Sequence, residues 1–281
     1  MKIGVPLRKG VVSQTIIHAG LAVGMFMTLL PFFWMVTTAL KNEGAVYAVP
    51  PELIPMHPTM QNFVRLFREL DFFTYFKNSV FVSVAYTLGA CLITSMSGYV
   101  FAKLPFRGRS VIFAIVLSTA MIPRAMTLIP NYITLKYLHW LNSYQGLIIP
   151  GLANVFNIFF LRQYMQTIPD ELLEAARIDG ATEFRIFFSI ILQLAKPALF
   201  TLAILNFIGV WNDYLWPAIV VTDQTKQTLE VGLYTLFGQN SSTLIGSVMA
   251  GATITLIPLI AVFLIGQRYI VKGISMTGMK M

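Results

Sequence analysis

Charged side chains are what this chain of 281 residues has least of. Asp, Glu, Lys and Arg make up 11% of it, against about 25% in soluble globular proteins, while 56% of the residues are hydrophobic. So little charge cannot hold that much apolar surface in water, which excludes a soluble enzyme and a disordered scaffold. Cysteine is nearly absent too. Cys91 stands alone, so no internal disulfide forms and a disulfide-stapled secreted module is excluded. No Gly-x-x-x-x-Gly-Lys-Ser/Thr phosphate loop occurs; from Gly273 to Gly278 the next residue is Met279. The histidines, His18, His57 and His139, are scattered with no cysteine or acid cluster at ligand spacing, so no metal site is expected. Neither a Gly-x-Ser-x-Gly elbow nor a Cys/His pair is present, and no catalytic residues are assigned.

A net charge of +8 would suit a nucleic-acid binder, but the Lys and Arg residues fall mostly in gaps between apolar runs. That placement is membrane topology, and no nucleic-acid partner is expected. A spanning helix needs roughly 20 apolar residues across a core about 30 Å thick. Six runs meet this: Lys9 to Lys41, Lys77 to Lys103, Arg109 to Lys136 interrupted by Arg124, about Gly146 to Tyr164, the run after Pro197 that carries Asp213, and the interval between Glu230 and Arg268. The predicted fold is all-α, a polytopic six-span membrane protein with a six-helix domain over about 13–270. The first run is too long for a signal-peptide core and is read as a retained span.

Alternate connections carry unequal positive charge. Lys2, Arg8, Lys9, Lys103, Arg107, Arg109, Arg162, Arg177, Arg185, Lys196, Arg268, Lys272 and Lys280 fall on one side, 13 in all. Lys41, Arg65, Arg68, Lys77, Lys136 and Lys226 fall on the other. The richer side is the cytoplasm, so both termini, residues 1–12 and 271–281, are predicted there. The external segment of about 41–76 holds Pro50, Pro51, Pro55 and Pro58, which predicts extended chain followed by a short surface helix from Phe63 to Leu70. The external loop of about 222–245 ends in Phe237-Gly238-Gln239-Asn240-Ser241-Ser242, the composition of a mobile tip.

The cytoplasmic segment of about 168–197 is longer than a plain connection needs. Pro169, Asp170 and Glu171 start a helix that shows Leu172, Leu173 and Ala176 on one side and stops at Gly180. Thr182 caps a second, whose Phe184, Phe187, Phe188, Ile191, Leu192 and Ala195 share a helical face. An amphipathic pair of this kind suits either the lipid interface or a docking role in which Ala175, Ala176, Gly180 and Ala181 admit another protein close to the backbone.

Glu174-Ala175-Ala176-Arg177-Ile178-Asp179-Gly180-Ala181, ahead of Ile190-Ile191-Leu192 and Lys196-Pro197, resembles the EAA loop of ABC importer permeases. Pro50 to Pro55, Met121-Ile122-Pro123 with Thr127 to Pro130, Trp211-Asn212-Asp213-Tyr214-Leu215-Trp216-Pro217 and Gln267 to Gly273 are similar, in order, to the carbohydrate-uptake permeases of that family. The resemblance implies a type I importer permease fold and a coupling role for Glu174, Ala175, Ala176, Asp179 and Gly180 on a cytoplasmic ATPase dimer. It also implies a second homologous permease and an extracytoplasmic solute-binding protein touched by Phe237, Gly238, Gln239 and Asn240. No cofactor is expected on this chain; ATP and Mg belong to the ATPase. The location implied is a bacterial or archaeal cytoplasmic membrane. Two departures stand out: Gln193 replaces the family's usual proline, and Ile274 to Lys280 replace its small, glycine-rich tail.

Arg124 and Asp213 lie 14 and 16 residues from the inner ends of their spans, about 21 and about 24 Å up at helical rise, so the two charges can pair. Asn206, Asn212 and Asp213, among Trp211, Tyr214 and Trp216, form a candidate substrate pathway, although aromatic residues near span ends also serve as interface anchors. The function expected is the permease subunit of an ATP-driven carbohydrate importer. The alternative is an ion-gradient-driven secondary transporter, for which Asp213 is nearly the only suitable acid.

Overall fold

Apolar surroundings leave backbone amides no solvent partner, so a chain of this composition must satisfy them within helices. The computed structural model describes residues 8–239 and 245–277, and there it is helical with no strand. In chain order the helices are α1 (Arg8–Ala39), α2 (Glu43–Val46), α3 (Gln61–Glu69), α4 (Phe72–Lys103), α5 (Arg109–Ser118), α6 (Arg124–Tyr137), α7 (Tyr144–Ile148), α8 (Val155–Gln166), α9 (Asp170–Ile178), α10 (Glu183–Ile186), α11 (Leu192–Leu194), α12 (Lys196–Trp211), α13 (Leu215–Val220), α14 (Leu229–Gln239) and α15 (Ile245–Thr277).

Three of these, α1, α4 and α15, are long and apolar enough to cross a membrane alone. The number reaches six if each of three bent pairs, Arg109–Met121 with Arg124–Tyr137, Tyr144–Gly151 with Val155–Gln166 and Glu183–Leu194 with Lys196–Trp211, makes one span. The third span breaks by 100° between Arg109–Met121 and Arg124–Tyr137, at Ile122 and Pro123. The fourth bends by 46° between Tyr144–Gly151 and Val155–Gln166. The run after Pro197 is also interrupted, since α12 ends at Trp211 and α13 begins at Leu215. The runs counted as the third, fourth and fifth spans are therefore bent or interrupted, where proline and polar residues open the backbone ladder.

The chain forms two compact units. In the first, residues 1–70 with 235–256, the Asn62 amide donates to the carbonyls of Ala39 (2.8 Å) and Lys41 (2.7 Å), tying the end of α1 to α3. A Cβ on Gly246 would lie 2.6 Å from that amide, so only glycine fits. As expected, the proline-rich stretch is non-helical and a short helix follows it.

In the second unit, residues 71–234 with 257–281, α4 packs along α8 and α12. The contact depends on small residues, because in an apolar medium helices gain most from close backbone approach. A Cβ on Gly98 would meet the Leu161 Cβ at 2.9 Å and the Arg162 backbone nitrogen at 3.2 Å. At one end Tyr99, Leu161, Met165, Leu173, Ile186, Phe187, Ile191 and Ala195 form a buried cluster. Elsewhere Val82, Leu135, Leu147, Trp216 and Val220 form another.

The loop expected to be a polar tip contains α14, an apolar helix with Leu229, Val231, Leu233 and Leu236 buried. Phe237 and Gly238 belong to that helix, not to a tip; Asn240 lies outside the described residues. The last helix continues to Thr277, past the expected end of the sixth span near 270. Residues 1–7 of the N-terminal segment and 278–281 of the tail lie outside the described residues.

Candidate functional site

Two places gather the residues that carry chemistry. The first is the helix pair over 168–197. Its opening helix α9 begins after Pro169, with Asp170 and Glu171 in the first turn, where acids complement the helix dipole. It ends in a Schellman motif: Ala181 N–H donates to the Ala176 carbonyl (2.9 Å) and Gly180 N–H to that of Arg177 (3.0 Å). Gly180 sits at φ +78°, a left-handed conformation that costs a side-chain-bearing residue. Thr182 caps the second helix, its hydroxyl accepting from Arg185 N–H (3.4 Å).

That second helix is not a plain α-helix. Phe187–Ile191 form a π-helical stretch, which shifts the inward face by about one residue. Ile186, Phe187, Ile191 and Ala195 are buried, whereas Phe184 (68% exposed) and Phe188 (49%) point away. The face expected from 3.6-residue spacing is corrected accordingly. Leu172 is likewise exposed while Leu173 is buried.

Two polar ties hold the pair to α4. The Lys103 ammonium donates to the Ile168 carbonyl and the Asp170 carboxylate (2.6 Å) with its side chain only 4% exposed. The Tyr99 hydroxyl donates to Glu183, whose other oxygen accepts from Arg177 Nε (2.7 Å). That arginine holds the Glu183 carboxyl below its ordinary range, with Tyr99 adding to the effect. At Ala195 the chain turns by 78° directly into α12. Of the residues singled out by motif, Glu174, Ala175, Asp179 and Gly180 face outward, and Ala176 packs inward against the cluster. Ile178, 86% exposed, joins them as an apolar knob.

The second place is a cavity of about 520 Å³ within the larger unit, inside the range of small-molecule sites. Of the three candidate pathway residues, Asn206 and Asp213 line it, whereas Asn212 does not; it caps α12 and is exposed. The aromatic neighbours serve packing. The Trp211 ring lies against Phe76 and Phe207, and Trp216 is buried with its indole N–H on the Gly146 carbonyl (3.1 Å). Arg124 Nη2 and Asp213 Oδ2 are 2.6 Å apart, so the two charges do pair. The pairing arises where two spans break, at the start of α6 and between α12 and α13, instead of at matched heights on straight helices. The other Asp213 oxygen accepts from Trp216 N–H (3.3 Å), in the first turn of α13.

Ser83, Asn131, Asn154 and Thr228 also line the cavity and were not anticipated. A readable signal existed for the first: Ser79, Ser83 and Thr87 recur every fourth residue in α4, one stripe of a helix. The structure presents a membrane transport subunit, with a clamped helix pair at one place and a polar cavity among broken spans at another. The chain belongs to the family described as the binding-protein-dependent transport system inner membrane component, which matches residues 90–276. Members of this family are membrane permease subunits, not enzymes. The chain is 35% identical to the arabinooligosaccharides transport system permease protein AraQ of Halalkalibacterium halodurans, over 93% of this chain and 92% of that one. It is 33% identical to the sn-glycerol-3-phosphate transport system permease protein UgpE of Yersinia enterocolitica, over 92% and 94%. It is 31% identical to the trehalose/maltose transport system permease protein MalG of Thermococcus litoralis, over 98% and 99%. A bacterial ABC transporter involved in the import of the acidic polysaccharide alginate shares the fold, with TM-score 0.82, 24% identity, and 95% and 99% coverage.

Proposed function

We propose that this chain is the membrane-spanning subunit of an ATP-driven importer for a carbohydrate or related polyol. It works in a bacterial or archaeal cytoplasmic membrane with both termini inside. The names of its relatives, which include oligosaccharide, disaccharide and glycerol phosphate permeases, support the substrate class. Its partners are a second homologous permease, an ATPase dimer that holds ATP and Mg, and an extracytoplasmic solute-binding protein that meets Phe237, Gly238, Gln239 and Asn240. Exposed apolar side chains along α1, from Ile16 to Phe33, face lipid or the second permease.

The observation that carries the reading is the fastening of the 168–197 pair. Tied to α4 by Lys103 and Tyr99 and joined to α12 at Ala195, the pair works as a lever. An ATPase that grips Glu174, Ala175, Asp179, Gly180 and the Ile178 knob moves both spans when it closes. Those spans flank the cavity, which forms part of the substrate pathway through Asn206 and Asp213.

The test compares co-purification and ATP-dependent uptake of the wild type with those of Glu174→Lys combined with Gly180→Pro. The double variant is expected to keep its permease partner, lose the ATPase and lose uptake. Uptake that persists without any ATPase would overturn the proposal in favour of an ion-driven carrier.

A further inference from the structure

The cavity is electrically neutral, and this restricts what it accepts. Arg124 and Asp213 are the charged residues among its described lining, and their charges offset each other through one contact of 2.6 Å, with the Arg124 side chain 66% exposed. Asp213 is committed a second time to the Trp216 N–H. What remains is uncharged. Ser83 Oγ and Thr228 Oγ1, on residues 1% and 5% exposed, find no hydrogen-bond partner among the described residues. Asn206 Oδ1 accepts from the Asn157 amide (3.0 Å), while its Nδ2 has no nitrogen or oxygen acceptor among the described residues and meets the Cys91 thiol, a weak acceptor. Among the other polar lining groups, Tyr86 donates to the Gly151 carbonyl, and the Ser79 hydroxyl accepts from Leu229 N–H. Apolar wall is supplied by Val82, Leu128, Leu147 and Leu205.

Buried polar groups left without partners imply a ligand or water that completes them. Two hydroxyls and an amide between aliphatic surfaces match a sugar ring, which offers hydroxyls at its edge and C–H groups on its faces. A carboxylate or phosphate would require an unspent cation, since a buried anion without one carries a large desolvation penalty. We infer that the cavity is a subsite for an uncharged polyhydroxyl unit, held by Ser83, Asn206 and Thr228, and that the Arg124–Asp213 pair excludes anionic sugars by leaving no free positive charge. This rests on the reading of the cavity as part of the import pathway.

The test uses the transporter as it co-purifies with this chain, reconstituted in lipid nanodiscs. Equilibrium dialysis is run against labelled maltotriose and arabinotriose as neutral probes and trigalacturonate as the acidic one. The wild type is expected to retain a neutral probe and reject trigalacturonate. Ser83→Ala with Thr228→Val should weaken the neutral probe about tenfold, the loss of two hydrogen bonds. Asp213→Asn, which frees Arg124, should admit trigalacturonate, and adding Arg124→Gln should abolish that gain. If Asp213→Asn does not assemble, the hydroxyl variant and the doubly neutral Arg124→Gln/Asp213→Asn variant decide the matter.

Retention of the acidic probe by the wild type, retention of neither kind, or a hydroxyl variant that binds like wild type would each overturn the subsite. The import reading is scored separately, by ATP-dependent uptake in the same preparations. Uptake that persists undiminished in the hydroxyl variant removes the subsite alone, whereas uptake that never depends on ATP removes the import reading.

Discussion

Gly180 and Glu183 sit three residues apart and make opposite demands on their surroundings. Gly180 has open space where a Cβ would point but a φ of +78°, so its constraint is purely conformational. Gly180→Ala is expected to cost about 1 kcal/mol and Gly180→Asn less, because asparagine tolerates the left-handed region. Thermal unfolding of the purified chain should rank the three in that order. Glu183 depends instead on a partner. Arg177 lowers its carboxyl pKa below the ordinary 4.5, so the tie contributes stability above that value and loses it as pH falls through the lowered one. With the Glu183 side chain 43% exposed, solvent screens much of the effect. Proteolytic accessibility of the 168–197 segment should therefore rise in acid below about pH 4.5 in the wild type. Glu183→Gln should be more accessible than wild type at neutral pH and flat across that window. The motif had marked Gly180 in advance; Glu183 lies outside it, and its role needs Tyr99 from a helix 84 residues away.

Helix contacts show where a single methyl decides packing and where it does not. Gly98 lets α4 approach α8 until a Cβ would lie 2.9 Å from that of Leu161. Gly24 in α1 has nothing within 4 Å. Gly98→Leu should cost about 1–3 kcal/mol through forced separation, while Gly24→Ala should be neutral or slightly stabilising. Denaturant titration in detergent, read by protease protection, separates the two. Run length and capping residues revealed α1, α3, α4 and α9 nearly to their ends. The π-helical stretch at Phe187–Ile191 escaped notice because it depends on the core that Ile186 and Ile191 enter. The α14 helix was hidden by its polar flanks, which carry the composition of a loop.

For the whole molecule, the arrangement of positive charge predicts which side each end occupies. With Cys91 replaced by Ser, single cysteines placed at Leu53 and at Ser275 should react oppositely with an impermeant maleimide added to intact cells. The first should label and the second should label only after permeabilisation. Labelling of Ser275 but not of Leu53 in intact cells would reverse the topology and place the 168–197 pair away from any ATPase.

The sequence by itself determined the class, because scarcity of charge and six apolar runs leave a polytopic helical protein as the physically stable answer. The coupling segment was also readable there, since its helix starts, glycine stop and motif are local in the chain. The pairing of Arg124 with Asp213 was suggested by their depths, but tertiary structure alone decided the breaks at Ile122 and Asn212 where it forms and the cavity lined from α4, α6, α8 and α12. Ser83 belongs to a legible stripe of α4 and Asn206 was a candidate on its own span, but nothing local joins them to Thr228. Their chemistry emerges only when distant helices bring unsatisfied polar groups to one place, a long-range outcome that no short window of sequence encodes.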